Sequence, residues 1–303
     1  MSISITNFNI VVLIATIGRS EYLKNTLLSL DECSKPDNFT QIFIVENGGR
    51  DNAQLVVDQF DSGYFQYIYF NGRGKSAALN YVIRNYITND DLLLFTDDDI
   101  LVNKYWVEKY NYYAARYGRR FYYGGSFDVL YENEVDSYIK HLLPLSARGI
   151  TDDEHRERNI FLGFNWASFR SDIVQAGLFD ETIGPGSKSG STGQETNMQQ
   201  RLLSAGCRPI FIENNMVSHV IPESRATIQW ISQRAVSEGI ENSYKQNGHI
   251  HSEIYRIFKL MLRIIINFLR GNKFNINRNL YSLIKLSVAL LIKTNQGNNN
   301  RAN

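Results

Sequence analysis

The sequence predicts an α/β protein with a mostly parallel central sheet flanked by helices and a C-terminal helical extension. Two patterns predict this fold class: short apolar runs alternate with helical periodicity in the first half of the chain, and helical spacing alone continues after residue 250. The 303 residues are 43% hydrophobic and 21% charged, which is typical of a globular protein with a sizeable core. This composition excludes disordered, collagen-like and low-complexity proteins.

Candidate strands and helices alternate along the first hundred residues. We expect strands at residues 9–15, 41–45, 65–70 and 92–96. Helices are expected between these strands, at residues 20–30, 52–60 and 75–86. In open parallel sheets ligands bind outside the carboxyl ends of the strands, so the residues that follow each strand are the first candidates for a functional site.

The second half of the chain has a less regular pattern. Its candidate elements are a helix at 106–117, short strands within 121–131 and 161–169, and a helix at 194–205. The Gly- and Ser-rich segment 184–193 precedes the last of these helices, and its length is typical of a flexible lid.

Three successive aspartates, Asp97, Asp98 and Asp99, follow the apolar strand at 92–96. Adjacent carboxylates repel each other unless a cation lies among them, and their hard oxygen atoms suit Mg²⁺ or Mn²⁺. A solvated acidic turn is one alternative. A magnesium-dependent phosphatase of the aspartyl-phosphate type is another, although the continuation Asp99-Ile100-Leu101 lacks the hydroxyl side chain that this motif needs.

Several motifs, in order over about residues 9–245, resemble the family 2 glycosyltransferases, which are nucleotide-sugar-dependent enzymes with the GT-A fold. The segment Ile14-Ala15-Thr16-Ile17-Gly18-Arg19 is similar to the opening strand and nucleotide-contacting turn of the family. The resemblance implies that Thr16 and Arg19 bind the donor nucleotide, and Gly18 stands where Asn is usual. Glu46, after the second strand, stands where the family more often has an Asp that binds the base.

The third and fourth strand exits extend the resemblance. Lys75, in Asn71-Gly72-Arg73-Gly74-Lys75-Ser76, is similar to the family's cation that approaches the diphosphate, and a Gly-bearing loop that opens a helix also offers backbone N–H groups to anions. The aspartate triplet resembles the Asp-x-Asp motif. The resemblance implies that Asp97 and Asp98 lie on the donor side, and that Asp97, Asp99 and His219 lie at a divalent metal. Asp98 as only the spacer of the motif is an alternative. His219 as a packed interior residue is the alternative.

Further along the chain, the resemblance reaches the acceptor side and the catalytic base. Asn165 and Trp166 belong to a segment like the family's acceptor-binding region, and Gln194 and Glu195 fall where the family has Glu-Asp. This implies that Gln194 faces the acceptor and that Glu195 is the general base. One carboxylate suffices, because an inverting transfer needs a single base for the attacking hydroxyl. Alternatively, Glu195 only complements the dipole at a helix start.

Two arginines, Arg225 and Arg234, lie in a segment like the family's helix that closes over the donor. An arginine fork suits the oxygens of a diphosphate, so the resemblance makes both residues diphosphate candidates. Exposed helix charges that bind no ligand are the alternative.

The C-terminal tail differs in charge from the rest of the chain. Residues 251–303 contain nine Lys or Arg and one acid, whereas residues 1–250 contain 23 and 30, so a basic tail follows an acidic body. Apolar and basic residues alternate at helical spacing in 254–270 and again in 280–292. This pattern suits a helix on an anionic membrane surface. A helical hairpin packed on the main domain, or a homodimer contact, is the alternative.

These patterns predict the domain organisation and the partners. We expect a catalytic domain at 1–245, with a nucleotide-binding half (about 1–100) and an acceptor-binding half (about 101–245), a basic helical tail at 246–294 and a disordered end at 295–303. The two cysteines are too few for a disulfide framework, and the N-terminus lacks a signal-peptide pattern. A cytoplasmic protein, peripheral on the inner face of the plasma membrane, is therefore expected.

The expected activity is metal-dependent transfer of a sugar from a nucleotide-sugar to a hydroxyl of a saccharide acceptor. If the tail binds a membrane, we expect this acceptor to be lipid-linked, as in bacterial surface polysaccharide synthesis. The expected cofactor is Mn²⁺ or Mg²⁺. Nucleic acid is not expected as a partner, because the basic stretch lacks a recognised binding module. The competing interpretation is a non-catalytic protein of the same fold that binds a nucleotide-sugar or a partner enzyme.

Overall fold

The computed structural model describes residues 8–48, 52–149, 159–244 and 250–299. The chain divides into two compact units. The first unit consists of Met1–Leu130, Gly149–Ser187 and Gln194–Val220. The second consists of Tyr131–Arg148, Lys188–Gly193 and Ile221–Asn303.

Ten strands are formed within the described residues. They are β1 (Ile10–Thr16), β2 (Phe39–Glu46), β3 (Phe65–Tyr69), β4 (Leu92–Asp97), β5 (Ile100–Val102), β6 (Phe121–Gly124), β7 (Phe127–Tyr131), β8 (Trp166–Phe169), β9 (Arg208–Phe211) and β10 (Val217–Ile221). The main sheet has the order β3-β2-β1-β4-β8-β6-β9, and a small sheet has the order β5-β10-β7. Strands β1 to β4 are parallel, whereas β8 runs antiparallel to both β4 and β6. The predicted fold class is confirmed.

Helices connect and follow these strands. Within the described residues they are α1 (Ser20–Asp31), α2 (Asn52–Val57), α3 (Lys75–Asn85), α4 (Trp106–Tyr117), α5 (Ser137–Leu142), α6 (Leu145–Arg148), α7 (Arg170–Gln175), α8 (Gln194–Ser204), α9 (Ile228–Tyr244), α10 (Ile250–Leu269) and α11 (Lys273–Asn299). A short 3₁₀ helix covers Glu223–Arg225. The structure shows two strands within 121–131, and only the end of the predicted segment 161–169 forms a strand.

The central strands are buried on both faces. In β1 the side chains of Val12 and Ile14 point into one apolar cluster and that of Leu13 into the other, and all three are fully buried. Strand β4 repeats this pattern, and its Phe95 stacks on Trp166 of β8 with ring centroids 4.5 Å apart. A parallel sheet covered by helices needs apolar side chains on both faces, which explains why these strands are continuous apolar runs in the sequence.

Helix α9 belongs to the same compact unit as the tail, so the boundary of this unit differs from the one expected at residue 245. The helices α9, α10 and α11 pack together, with α11 in contact with both others. Gly239 permits the close approach of α9 and α11, since a Cβ atom there would lie 2.7 Å from the carbonyl oxygen of Lys285. Lys285 also pairs with Glu238 at 3.3 Å.

The last helix is longer than the apolar pattern indicates. Helix α11 continues to Asn299, so the expectation that the end from residue 295 is disordered is wrong for residues 295–299; the remaining residues lie outside the described ranges. Once a helix is formed, each further residue adds a backbone hydrogen bond at little cost, which explains the extension. Among the described residues, no helix is both long enough and apolar enough to cross a membrane.

Candidate active site

The parallel register brings the ends of the central strands to one edge of the sheet. Thr16 at the end of β1 pairs with Glu46 at the end of β2. On the other side of β1, Ala15 pairs with Asp97 at the end of β4. Lys75 begins helix α3, which follows β3. Four strand exits that are far apart in sequence therefore contribute side chains to one region.

Asp98 holds the turn after β1. Thr16 Oγ1 donates a hydrogen bond to Asp98 Oδ2 at 2.5 Å, and Arg19 donates to the same oxygen from Nε at 3.2 Å and to Oδ1 from Nη2. Asp98 is 2% exposed, and this burial raises the pKa of its carboxyl although the charge of Arg19 opposes the shift. Both carboxyl oxygens thus bind protein groups, and the side chain orders the turn that carries Thr16 and Arg19.

Asp99 lies between a cation and a histidine. Its Oδ2 pairs with Arg19 Nη1 at 2.9 Å, and its Oδ1 lies 3.5 Å from His219 Nε2. The small sheet explains this approach: β10 runs antiparallel to β5, and the backbone N–H of Val220 donates to the carbonyl of Asp99 at 2.9 Å. His219 also packs on the ring of Phe164, so it is both a packed residue and a neighbour of Asp99.

Arg19 bridges two of the three aspartates. Burial by itself would lower the pKa of its guanidinium, but the charges of Asp98 and Asp99 outweigh burial and raise that pKa. The side chain therefore carries a permanent positive charge beside the acidic triplet.

Lys75 joins the donor-side edge to the candidate base. Its Nζ contacts Asp97 Oδ1 and lies 3.3 Å from Glu195 Oε1. Burial lowers the pKa of Lys75, but attraction by Asp97 and Glu195 outweighs this effect and raises it. The backbone N–H of Lys75 donates to Pro185 O at 3.0 Å, so the start of the segment 184–193 is held against α3. Opening of this segment as a lid stays a prediction.

Glu195 lies in the first turn of α8 with its side chain 19% exposed. Gln194 Nε2 donates to Glu195 Oε1 at 2.8 Å. A glutamate at position 194 would instead place a second negative charge beside this oxygen, so the neutral amide supports Glu195 as a single carboxylate. The carboxylate packs directly over Gly163, where a Cβ atom would lie 1.9 Å from Oε1.

Glu46 and Gly18 fit each other sterically. Glu46 is fully buried; Tyr67 OH donates to its Oε2 at 2.8 Å, and its Oε1 has no hydrogen-bond partner among the described residues. Gly18 has φ +85°, and a Cβ atom there would lie 2.5 Å from Glu46 Oε1. Both departures from the family pattern therefore belong to one local arrangement, because the longer acid occupies the space that a side chain at position 18 would need.

Comparisons with known proteins identify the family. The family model described as glycosyl transferase family 2 matches residues 11–175, which is more than half of the chain. The chain belongs to this family. The matched region includes the four strand exits and ends before α8, which carries Glu195. The comparison with curated proteins found no match.

Solved structures of glycosyltransferases are similar in fold to this family 2 chain. The mannosyltransferase PcManGT from Pyrobaculum calidifontis, in complex with GDP-Man and Mn²⁺, superposes with a TM-score of 0.59 at 14% identity, over 94% of this chain and 88% of the other. GalNAc-T7 with UDP, GalNAc and Mn²⁺ superposes with a TM-score of 0.56 at 13% identity, over 80% of this chain. The match spans about half of GalNAc-T7, 52% of its length.

The acceptor-side candidates of this family 2 chain lie in the interior. Asn165 accepts hydrogen bonds from Trp106 Nε1 at 2.8 Å and Tyr110 OH at 2.9 Å, and its amide donates to the carbonyls of Ser126 and Asn215. Trp166 is fully buried against Phe95. Both side chains therefore shape the sheet behind the site, and their contacts are with protein groups.

The two arginine candidates belong to the second compact unit. Arg234 lies on α9 and pairs with Glu238 one turn later at 3.5 Å. Arg225 ends the short 3₁₀ helix. Their binding to a diphosphate stays a prediction.

The acidic groups at the strand exits fit a divalent metal that a diphosphate helps to hold. Among the residues that the structure describes, no three His, Cys, Asp or Glu side chains are grouped so that they could hold a metal alone. Mg²⁺ is usually bound by one or two carboxylates together with substrate phosphates. Asp97 and Asp99 provide two such carboxylates, and the adjacent Arg19 and Lys75 suit the negative charge of the same phosphates.

The sequence did not predict the roles of two further residues in the candidate site. Gly163 makes room for Glu195, and Tyr67 orients Glu46 from the neighbouring strand. A glycine near the start of an apolar strand, and a tyrosine two residues before the end of β3, were the available signals. Neither signal identifies its partner without the tertiary contact.

Gly163→Ala is expected to displace Glu195, because the added methyl group would overlap its carboxylate. We expect kcat for sugar transfer to fall by about tenfold or more, while the KM for the donor changes little. Steady-state kinetics and the melting temperature check this. Gly63→Ala is the control for kcat, since nothing lies within 4 Å of a Cβ atom there; its φ of +72° is expected to lower the melting temperature without changing kcat. An unchanged kcat in Gly163→Ala would contradict the assigned contact.

Proposed function

We propose that this chain is an inverting glycosyltransferase that moves a sugar from a nucleotide-sugar to a hydroxyl of a saccharide acceptor. The observation that carries the proposal is the position of Lys75, whose ammonium contacts Asp97 on the donor side and Glu195 at the candidate base. A donor diphosphate beside Lys75 would thus have its sugar next to a carboxylate. The nucleotide-sugar and nucleotide complexes of the two similar structures support this class of donor.

The strand exits divide the recognition of the donor. Glu46 Oε1 is a buried acceptor without a partner among the described residues, so it suits an N–H group of the nucleobase. Asp97 lies at the exit of β4 and would accept hydrogen bonds from the ribose. Lys75 and Arg19 would pair with the diphosphate, because both are cations held at this edge.

Asp97 and Asp99 would hold Mn²⁺ or Mg²⁺, with His219 beside them. When bound, the ion offsets negative charge that builds on the leaving diphosphate. Thr16 and Asp98 keep Arg19 and the adjacent turn in place, so the carboxylates are ordered before the donor arrives.

Glu195 would act as the general base. Its carboxylate takes the proton of the acceptor hydroxyl while that oxygen bonds to the anomeric carbon and the bond to the nucleoside diphosphate breaks on the opposite face. This attack inverts the anomeric configuration. Gln194 holds Glu195 in place by its 2.8 Å hydrogen bond, and closure of the segment 184–193 would exclude water that could attack the same carbon.

The finer assignments complete the proposal. The acceptor is a lipid-linked saccharide in bacterial surface polysaccharide synthesis, and the protein works at the inner face of the plasma membrane. The basic tail, with nine Lys or Arg and one acid after residue 250, supports a location at an anionic membrane. Arg225 and Arg234 are proposed to contact the diphosphate. The competing proposal for the tail is that it forms the contact of a homodimer.

A second candidate function is a non-catalytic protein that binds a nucleotide-sugar. Its specific support is Gln194, which removes one of the two acids that the family usually has. The hydrogen bond from Gln194 to Glu195 favours the catalytic function, since it holds the remaining carboxylate in the site.

A panel of UDP, GDP, CMP, dTDP and their sugars, with and without Mn²⁺, tests the proposed donor site. A ligand of the folded state raises the melting temperature, by about 5 °C for this size of protein at a hundredfold excess over Kd. We expect a metal-dependent rise with one nucleotide family. Absence of any shift would contradict the donor site. A shift without sugar transfer to any saccharide acceptor would favour the non-catalytic function.

A further inference from the structure

Helix α10 carries a large apolar face that no described part of the chain covers. Seven of its apolar side chains recur at three- and four-residue steps and are 47–79% exposed. They are Ile254, Phe258, Met261, Leu262, Ile265, Phe268 and Leu269. Soluble monomers rarely expose large contiguous apolar patches, and such patches usually mark sites that bind a protein or a membrane. We call these seven residues the α10 apolar face.

The contact of α10 with α11 uses a different side of the helix. Ile257, Leu260 and Ile264 are only partly exposed and share this other side with the buried Glu253. Glu253 Oε1 pairs with Lys293 of α11 at 2.6 Å. The packing of α10 on α11 therefore uses other residues, and it does not bury the α10 apolar face.

The exposed charges of α10 are all positive. Arg256, Lys259 and Arg263, with Arg270 directly after the helix, are exposed and follow each other at three-, four- and seven-residue steps, which places them on a side away from the apolar face. The acidic residue of the helix, Glu253, is buried. The helix thus presents an apolar side and a cationic side to the solvent.

We propose that α10 lies in the interface of an anionic membrane, with the α10 apolar face at the boundary of headgroups and acyl chains. Lys259 and Arg263 would extend to lipid phosphates, because long basic side chains reach the headgroups from an interfacial helix. This inference names the helix and the residues that contact the membrane in which a lipid-linked acceptor is held. It rests on the proposed function for the reason why the protein binds a membrane. The binding itself requires no catalysis.

Charge favours a membrane over a second copy of the chain. Two α10 helices packed through their apolar faces would leave the cations on their outer sides, where neither helix offers an exposed acid to pair with them. An anionic lipid surface attracts the same cations, by roughly a fivefold gain in affinity for each Lys or Arg near the surface. Only the lipid surface therefore satisfies both sides of the helix.

Cosedimentation with vesicles of phosphatidylglycerol and of phosphatidylcholine tests the inference with the full chain. We expect strong binding to phosphatidylglycerol, weakened by salt, and little binding to phosphatidylcholine. Phe258→Ser with Phe268→Ser should weaken binding at least about 100-fold, since two large apolar side chains no longer enter the interface. Lys259→Gln with Arg263→Gln should weaken it about 30-fold.

The matched control is Leu55→Ser with Tyr112→Ser, which removes two apolar side chains of similar exposure, 67% and 60%, from outside the tail. This control should bind vesicles like the wild type. All variants change exposed residues, so their melting temperatures should equal that of the wild type.

Equal binding to both lipids, no binding, or unchanged binding of the Phe258 and Phe268 variant would overturn the inference. A dimer in ultracentrifugation that this variant abolishes, without vesicle binding, would assign the face to a second copy instead. The nucleotide panel is run on the same variants without vesicles. A retained nucleotide shift with lost vesicle binding separates failure of this inference from failure of the proposed function.

Discussion

Glu195→Gln is expected to reduce kcat for sugar transfer by about 100-fold to 10,000-fold, because an amide cannot take the proton of the attacking hydroxyl. Donor binding should persist, since Lys75 keeps its contact with Asp97. The amide has nearly the same shape as the carboxylate and still fits over Gly163. Steady-state kinetics with the donor that the nucleotide panel identifies will measure both quantities.

Glu213→Gln provides the control for this substitution, because Glu213 is an exposed acid outside the site. It should leave kcat unchanged. If turnover by Glu195→Gln equals that of the wild type, another group is the base and the proposed role of Glu195 is wrong. A fall in donor affinity without a change in kcat would instead place Glu195 on the donor side.

Asp99→Asn is expected to abolish the metal-dependent part of the nucleotide-induced melting shift and to lower kcat/KM by about 100-fold to 1,000-fold. The amide keeps the size of the side chain and an oxygen that can accept from Arg19, but it loses the charge that a divalent ion needs. The melting shift is measured with and without Mn²⁺, so this prediction has a readout that needs no turnover.

Asp58→Asn serves as its control, since Asp58 is exposed at the end of the α2 region and away from the strand exits. Its nucleotide shift should retain the full dependence on Mn²⁺. A retained metal dependence in Asp99→Asn would show that Asp99 is not a ligand, and Asp97 would then be tested in the same way.

The sequence predicts the first half of the sheet and the location of the site, because both depend on local patterns. Apolar runs such as that of β4 are visible directly in the sequence, and a parallel sheet places their ends at one edge. Local patterns alone therefore predict that Thr16, Glu46 and Asp97 are neighbours. Their observed register agrees with this expectation.

The different roles within the aspartate triplet do not follow from the sequence. Asp98 turns into the protein and binds Thr16 and Arg19, whereas Asp99 lies beside His219. These partners are set by the direction of each side chain and by the antiparallel pairing of β5 with β10. Residues about 120 positions apart meet there, and no local periodicity encodes that meeting.

The departures from the family pattern could also not be interpreted from the sequence alone. Gly18 alone suggests the loss of a functional side chain, but beside Glu46 it is a steric requirement. The packing of α9 with the tail was likewise not visible in the sequence, because the contact of Gly239 with Lys285 joins α9 to α11 across a long stretch of chain. Such pairs become visible only when the distances between them are known.

The ion pair of Arg19 with Asp99 has a consequence for the order in which ligands reach the site. An arginine does not lose its proton at physiological pH, so it can release Asp99 only by moving its guanidinium to another anion. A nucleoside diphosphate brings that replacement anion, whereas a divalent ion alone would bring more positive charge. Nucleotide and ion should therefore bind with positive cooperativity, each increasing the affinity of the site for the other by the same factor.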